Sequence, residues 1–164
     1  EIAQCLVGSE MCIRDRGKGC YCFVNGLLQA QVQKLTPNYK YMVVDNEAGM
    51  EHISRGILPK VDTIILVSDC SRRGVQAVGR IAGLVKECGL NPKQIGLIVN
   101  RAPEGKLNDG TKEEIERQGL TLFGVVPQDQ EVYEYDCDGK PMTELPENAA
   151  VKTALYKILD SISL

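Results

Sequence analysis

Apolar and polar residues fall into blocks along this chain, and the period changes from block to block. Tyr41–Asp45 (YMVVD) is a short β-rich run closed by an acid, and Thr63–Ser68 (TIILVS) is nearly all apolar. A continuous apolar run of that kind predicts a strand buried on both faces of a parallel sheet. Val75, Val78, Ile81, Ala82, Val85 and Cys88 recur at helical spacing and stop at Gly89, a usual C-terminal signal. Residues 95–100 (IGLIVN) and 120–126 (LTLFGVV) predict two further strands. Thr111-x-x-Glu114 predicts a capping box opening a short polar helix. Pro146 and Asn148 precede a last amphipathic helix carrying Val151, Leu155, Ile158 and Leu159. Upstream, Phe23, Leu27, Leu28 and Leu35 give a helical face that ends before Pro37. Strands alternating with helices predict βαβ units, hence an α/β fold with a mostly parallel sheet and flanking helices. There are no internal repeats and no low-complexity linker.

Composition narrows the class. The chain has 164 residues, 43% apolar and 25% charged, which suits one soluble domain with a real core. A net charge of −3 and a pI near 5.3 give no electrostatic footprint for nucleic acid. No apolar run approaches the ~18–20 residues of a membrane span, so neither partner is expected. Seven cysteines, an odd count in an α/β pattern, predict a cytoplasmic protein with reduced thiols or metal ligands rather than a disulfide framework. Residues 5–16 (CLVGSEMCIRDR) show neither strand nor helix period and lack the layout of a signal peptide. Residues 1–16 are therefore read as a non-native tail, with no strand ahead of Lys18, and residues 17–164 as the domain. Cys5 and Cys12 carry no functional argument on that basis.

The chemistry-bearing residues are few. Cys20 and Cys22, in GKGCYC, can bind one soft metal ion but cannot close a four-ligand site alone. Either the pair is incidental, or a second copy of the chain supplies the missing ligands. Cys70 and Cys88 read as small buried hydrophobes, and Cys137 as a thiol in a polar loop. His52 reads as a polar position, and Arg72 and Arg73 open a helix with solvent as their default surroundings. In open parallel sheets ligands bind at the carboxyl ends of the strands. There the sequence places Asp45, Asp69, Asn100 with Arg101, and the run Pro127, Gln128, Asp129. An acid after four apolar β residues is what a Walker B position needs, a carboxylate fixed on a rigid strand toward a nucleotide's magnesium. Ala48 and Gly49 follow it in a turn able to flex as a switch.

VVDNEAGMEHISRG, LIVNR and GVVPQDQEV, in this order and spacing, resemble the deviant-Walker P-loop ATPases of the MinD, ParA and nitrogenase-iron-protein group. With the upstream CYC, residues 17–164 most resemble the CooC-type ATPases that mature nickel carbon monoxide dehydrogenase, and equally their AcsF relatives that serve acetyl-CoA synthase. The resemblance implies ATP and Mg²⁺ as cofactors. It makes Asp45 the Walker B acid, residues 46–49 including Gly49 the switch that senses the γ-phosphate, and Asn100 the reader of the adenine edge, with Arg101 beside it. Pro127, Gln128 and Asp129 become the loop along the base. It makes Cys20 and Cys22 half of a two-fold site for Ni²⁺ or Zn²⁺ in a homodimer, with a nickel enzyme as client. Two Cys-x-Cys units supply four thiolates, a closed soft site.

One departure qualifies the resemblance. The family's P-loop, G-x-x-x-x-G-K-[ST], is absent, and Lys18 in GKG does not replace it. The chain is thus expected to be an incomplete P-loop ATPase domain that hydrolyses nothing by itself. Alternatives are a positioning ATPase of the MinD or ParA kind, or a metal-dependent dimerisation module without ATPase activity. An iron–sulfur reductase is disfavoured, because the switch segment DNEAGMEHISRG contains no cysteine.

Overall fold

In the computed structural model, residues 2–6, 22–46 and 60–162 are described. They divide into two units, residues 1–61 with 84–91 and residues 62–83 with 92–164.

In the first unit, β1 (Ile2–Leu6) runs parallel to β2 (Tyr41–Asp45), from Ile2 beside Tyr41 to Leu6 beside Asp45. This corrects the expectation that no strand precedes Lys18. IAQCL is too short to show a period, and it is the pairing with β2 that makes it a strand. Helix α1 (Cys22–Leu35) stops where Pro37 enters a 3₁₀ turn, Thr36–Asn38. Its last carbonyls are capped by side chains: Thr36 Oγ1 donates to the Val32 oxygen at 2.7 Å, and Asn38 Nδ2 to that of Lys34 at 3.1 Å. Val32 is buried whereas Leu27 and Leu35 are exposed, so the inward face is not the one the Leu27/Leu35 spacing predicted.

The second unit is built on β3 (Thr63–Ser68), β4 (Gln94–Ala102) and β5 (Leu122–Pro127), all parallel, in the order β3-β4-β5. The connections carry α2 (Arg72–Glu87), which runs across the division between the units, and α3 (Asp109–Arg117). After β5 come α4 (Gln130–Cys137) and α5 (Ala150–Ser161). Successive β4 residues point to opposite faces and enter separate cores. Leu97 and Val99 join Leu66, Val75, Val78 and Ile115; Ile98 joins Val126, Ile158 and Ile162. Two glycines permit this closeness. A Cβ on Gly96 would strike the Phe123 ring, and one on Gly124 would strike the side chain of Ile158. The ladder accommodates Phe123 as an extra β5 residue, since Leu97 pairs with Leu122 while Ile98 pairs with Gly124.

Three expectations change. Thr63–Ser68 is not buried on both faces: Ile65 and Val67 are 38% and 59% exposed, because among the described residues β3 is an edge of its sheet and the Leu66 face is the packed one. The helix N-cap is Asn108, not Thr111; Asn108 Oδ1 accepts the Thr111 N–H at 2.8 Å. Residues 130–137 form a helix, so Cys137 ends a helix rather than lying in a polar loop.

Candidate functional site

The carboxyl ends of β4 and β5 form an irregular rim. Val99 pairs with Val125 and Ala102 with Pro127, so Asn100 and Arg101 together face the single residue Val126. This is a β-bulge, and Arg101 meets it by adopting a left-handed φ of 56°. A non-glycine residue there costs about 1–2 kcal/mol. In the bulge the Arg101 N–H donates to the side chain next to it, with Asn100 Oδ1 accepting at 2.9 Å. Only an oxygen can accept, so the amide's polarity is fixed, with Nδ2 as its donor end.

The same rim bends again two residues on. Glu104 and Gly105, in the 3₁₀ turn Pro103–Gly105, have φ of 52° and 67°. A Cβ on Gly105 would lie 3.6 Å from that of Pro127, so this turn closes over the end of β5. The Gln128 N–H donates to the Ala102 carbonyl at 2.8 Å, tying the two strand ends together. Asp129 caps α4, its Oδ1 accepting the Glu131 N–H at 2.9 Å. Asn100, Arg101, Pro127, Gln128 and Asp129 are thereby gathered on one rim. It offers a half-buried amide of fixed polarity and a half-buried proline, with the Arg101 and Gln128 side chains exposed. Such a rim can present one donor and one acceptor to the edge of a flat heterocycle.

A second cluster lies at the carboxyl end of β3. Asp69 Oδ1 accepts from the Ser71 hydroxyl at 2.6 Å and its N–H at 2.8 Å. The hydroxyl first, then the amide, hold the Asp69 carboxyl below its ordinary range. Gly74 lets α2 begin against this turn, because a Cβ would run into Asp69 Oδ1 and Ser68 Oγ. The adjacent Arg72 is exposed, as expected, yet it is also tied to a buried partner. Its Nε donates at 2.9 Å to Glu114, whose side chain is fully buried. Glu114 also accepts from an Arg117 terminal nitrogen at 2.6 Å and from Gln118 Nε2 at 2.8 Å. Arg117 above all, then Gln118, with Arg72 and Gln76 adding less, hold the Glu114 carboxyl down at about 2. Thr111 Oγ1 completes the bridge by donating to the Cys70 carbonyl at 2.7 Å. Sequence reasoning missed this network; its one local trace is a glutamate three residues before Arg117 on a short helix.

The other expected residues are placed as follows. Asp45 ends β2 in the first unit and is exposed. Cys22 is the first residue of α1, while Cys20, Gly49 and His52 lie outside the described residues. Cys70 is half-buried against the first core as expected, whereas Cys88 is exposed at the end of α2 and Cys137 is the exposed last residue of α4. Among the described residues, no cluster of three or more His, Cys, Asp or Glu is placed to hold a metal ion. Nor, among them, is any helix long and apolar enough to cross a membrane.

A family model for the CobQ/CobB/MinD/ParA nucleotide binding domain matches residues 25–142. An uncharacterized ATP-binding protein of Methanocaldococcus jannaschii is 38% identical over 151 residues, 91% of this chain and 58% of its own length. The carbon monoxide dehydrogenase accessory protein CooC of Rhodospirillum rubrum is 26% identical over 132 residues, 70% of this chain and 50% of its own. Among solved structures, the septum site-determining protein MinD of Pyrococcus horikoshii, complexed with Mg-ADP, superposes with a TM-score of 0.64 at 19% identity. That match covers 82% of this chain and 54% of the other. The chain thus spans little more than half the length of these relatives.

Proposed function

The chain belongs to the CobQ/CobB/MinD/ParA nucleotide-binding family, and on that premise we propose that the rim at the ends of β4 and β5 holds the adenine base of ATP. The observation that carries this is the bulge-fixed amide of Asn100. Half-buried and of one polarity, it matches adenine, whose N6 donates and whose N7 accepts. Pro127 gives the base an apolar neighbour, and Gln128 and Asp129 continue the loop along it. In this proposal Asp45 holds the water shell of magnesium, which when bound neutralises phosphate charge. Gly49 belongs to the segment that senses the γ-phosphate. The activity proposed for the whole protein is ATP hydrolysis, with this chain an incomplete P-loop domain of it. Titration calorimetry with MgATP and MgGTP tests the base site. ATP is expected to bind more tightly, and Asn100→Ala to remove most of the difference; equal binding by the wild type sinks the assignment.

The proposed cargo is nickel. The likeness to CooC and the Cys-x-Cys of Cys20 and Cys22 support a homodimer in which two such pairs enclose Ni²⁺ or Zn²⁺. The client would be carbon monoxide dehydrogenase or acetyl-CoA synthase. Metal stoichiometry and oligomeric state, measured for the wild type and for Cys20→Ser/Cys22→Ser, test this. One metal per dimer, lost with dimerisation in the double variant, is expected. Retention of that metal in the double variant would leave a MinD- or ParA-like positioning role as the better account.

A further inference from the structure

Resting on the adenine assignment above, we infer that Glu114 is a positioning residue for the base: by latching α3 to α2, it fixes the loop that closes over Pro127. The buried carboxylate divides its bonds between two helices. Oε1 accepts from Arg117 and Gln118 at the end of α3, whereas Oε2 accepts from Arg72 at the start of α2. Gln76 adds a second donor from α2, and a Cβ on Gly79 would strike the Gln118 side chain. Arg72, Gln76 and Gly79 fall at i, i+4 and i+7, so one stripe of α2 meets this face of α3. In the first turn of α3, the Thr111 hydroxyl donates at 2.7 Å to the Cys70 carbonyl, just past the end of β3.

The chain immediately ahead of α3 is the loop at the base rim. Residues 103–108 leave β4 at Ala102, whose carbonyl is tied to Gln128, and reach the helix at its cap, Asn108. Between these anchors a Cβ on Gly105 would lie 3.6 Å from that of Pro127. A loop this short cannot absorb a shift of its far end, so the seat of α3 sets how the loop meets the proline. Leu107 and Ile115 also hold this segment, but by apolar contact, which tolerates a small slide. A buried carboxylate with donors on two helices does not tolerate it, because a slide leaves the charge underpaired. Apolar contact holds α3 against the sheet; the latch fixes where along it.

The experiment uses adenosine and guanosine with the full chain, since a lost cation could weaken any phosphate by charge alone. Calorimetry on Arg72→Gln, Thr111→Val and Thr111→Ser, each held well below its melting temperature, reads base affinity. Hydrogen exchange at the bonded Lys106 and Thr111 amides reads the loop, with the Leu97 amide in the sheet as reference. Adenosine is expected to bind Arg72→Gln and Thr111→Val about threefold to thirtyfold more weakly, with faster exchange at Lys106 and Thr111 but not at Leu97. Thr111→Ser keeps the hydroxyl and is expected to match the wild type. Wild-type affinity in folded Arg72→Gln, or in Thr111→Val should Arg72→Gln not fold, overturns the inference. So does a Thr111→Ser as weak as Thr111→Val, or exchange that quickens equally at Leu97, which marks general loosening. If the wild type binds guanosine as well as adenosine, it is the adenine assignment that fails.

Discussion

The two faces of the β3-β4-β5 sheet are held by different chemistry. On the Leu97 face, apolar packing is reinforced by a buried carboxylate that joins Arg72 at the start of α2 to Arg117 and Gln118 at the end of α3. On the Ile98 face, α5 lies on β5 through Ile158 and Ile162, and its Lys152 turns to its own preceding loop, bonding the Thr143 carbonyl at 3.1 Å and Glu147 at 2.9 Å. The difference separates two tasks. Apolar contact is tolerant of small slides, so it suits a helix that only has to cover a sheet. Hydrogen bonds to a charged group, with fixed geometry, suit the turn after β3, where Asp69 Oδ1 accepts from Ser71 and the Gly74 N–H donates to Ser71 Oγ at 3.0 Å.

The comparison can be broken in several ways. Leu97→Ala opens a fully buried position on the reinforced face and is expected to cost about 2–5 kcal/mol in urea unfolding; under 1 kcal/mol would mean that face relaxes as freely as the other. Gly124→Ala overpacks the apolar face against Ile158 and is expected to cost about 1–3 kcal/mol. In the double variant with Ile158→Ala much of that loss should return, and simple additivity would show that the contact is not the cause. Asn108→Ala removes the α3 cap and is expected to cost about 1 kcal/mol, read as a lowered melting temperature.

The last prediction concerns acid. The Glu114 carboxyl titrates near 4.5 when unfolded and at about 2 when folded, so its contribution is complete above pH 4.5 and fades as pH falls toward 2. The stability gap between wild type and Glu114→Gln should therefore be flat from pH 7 to about 5 and shrink below it. A gap that stays constant down to pH 2 would show that Glu114 is not ionised in its buried setting.

How much of this was readable in the chain follows from the range of each interaction. β3 was legible as an unbroken apolar run, and α2 and α5 because their apolar residues recur at a period that one element sets by itself. Helix α4 was not: QEVYEYDC is polar on most sides, and only the Asp129 cap marks its start. Asn100 was legible as a polar residue ending an apolar strand, but its bulge depends on the register of β5, more than twenty positions away, and no local pattern encodes that. Glu114 was misread as the closing half of a capping box because its partner Arg72 lies 42 residues earlier. The exposure of Ile65 and Val67 was missed for a related reason. A run such as TIILVS records that a strand is apolar, not whether it ends up at an edge.

That edge has a practical outcome at the bench. Val67 at 59% exposure, with Ile65 beside it on the same face of β3, leaves oily sheet surface in contact with water. Surface of that kind promotes self-association as concentration rises. The chain handled alone is therefore best kept dilute, with its sedimentation checked before any binding or melting curve is interpreted.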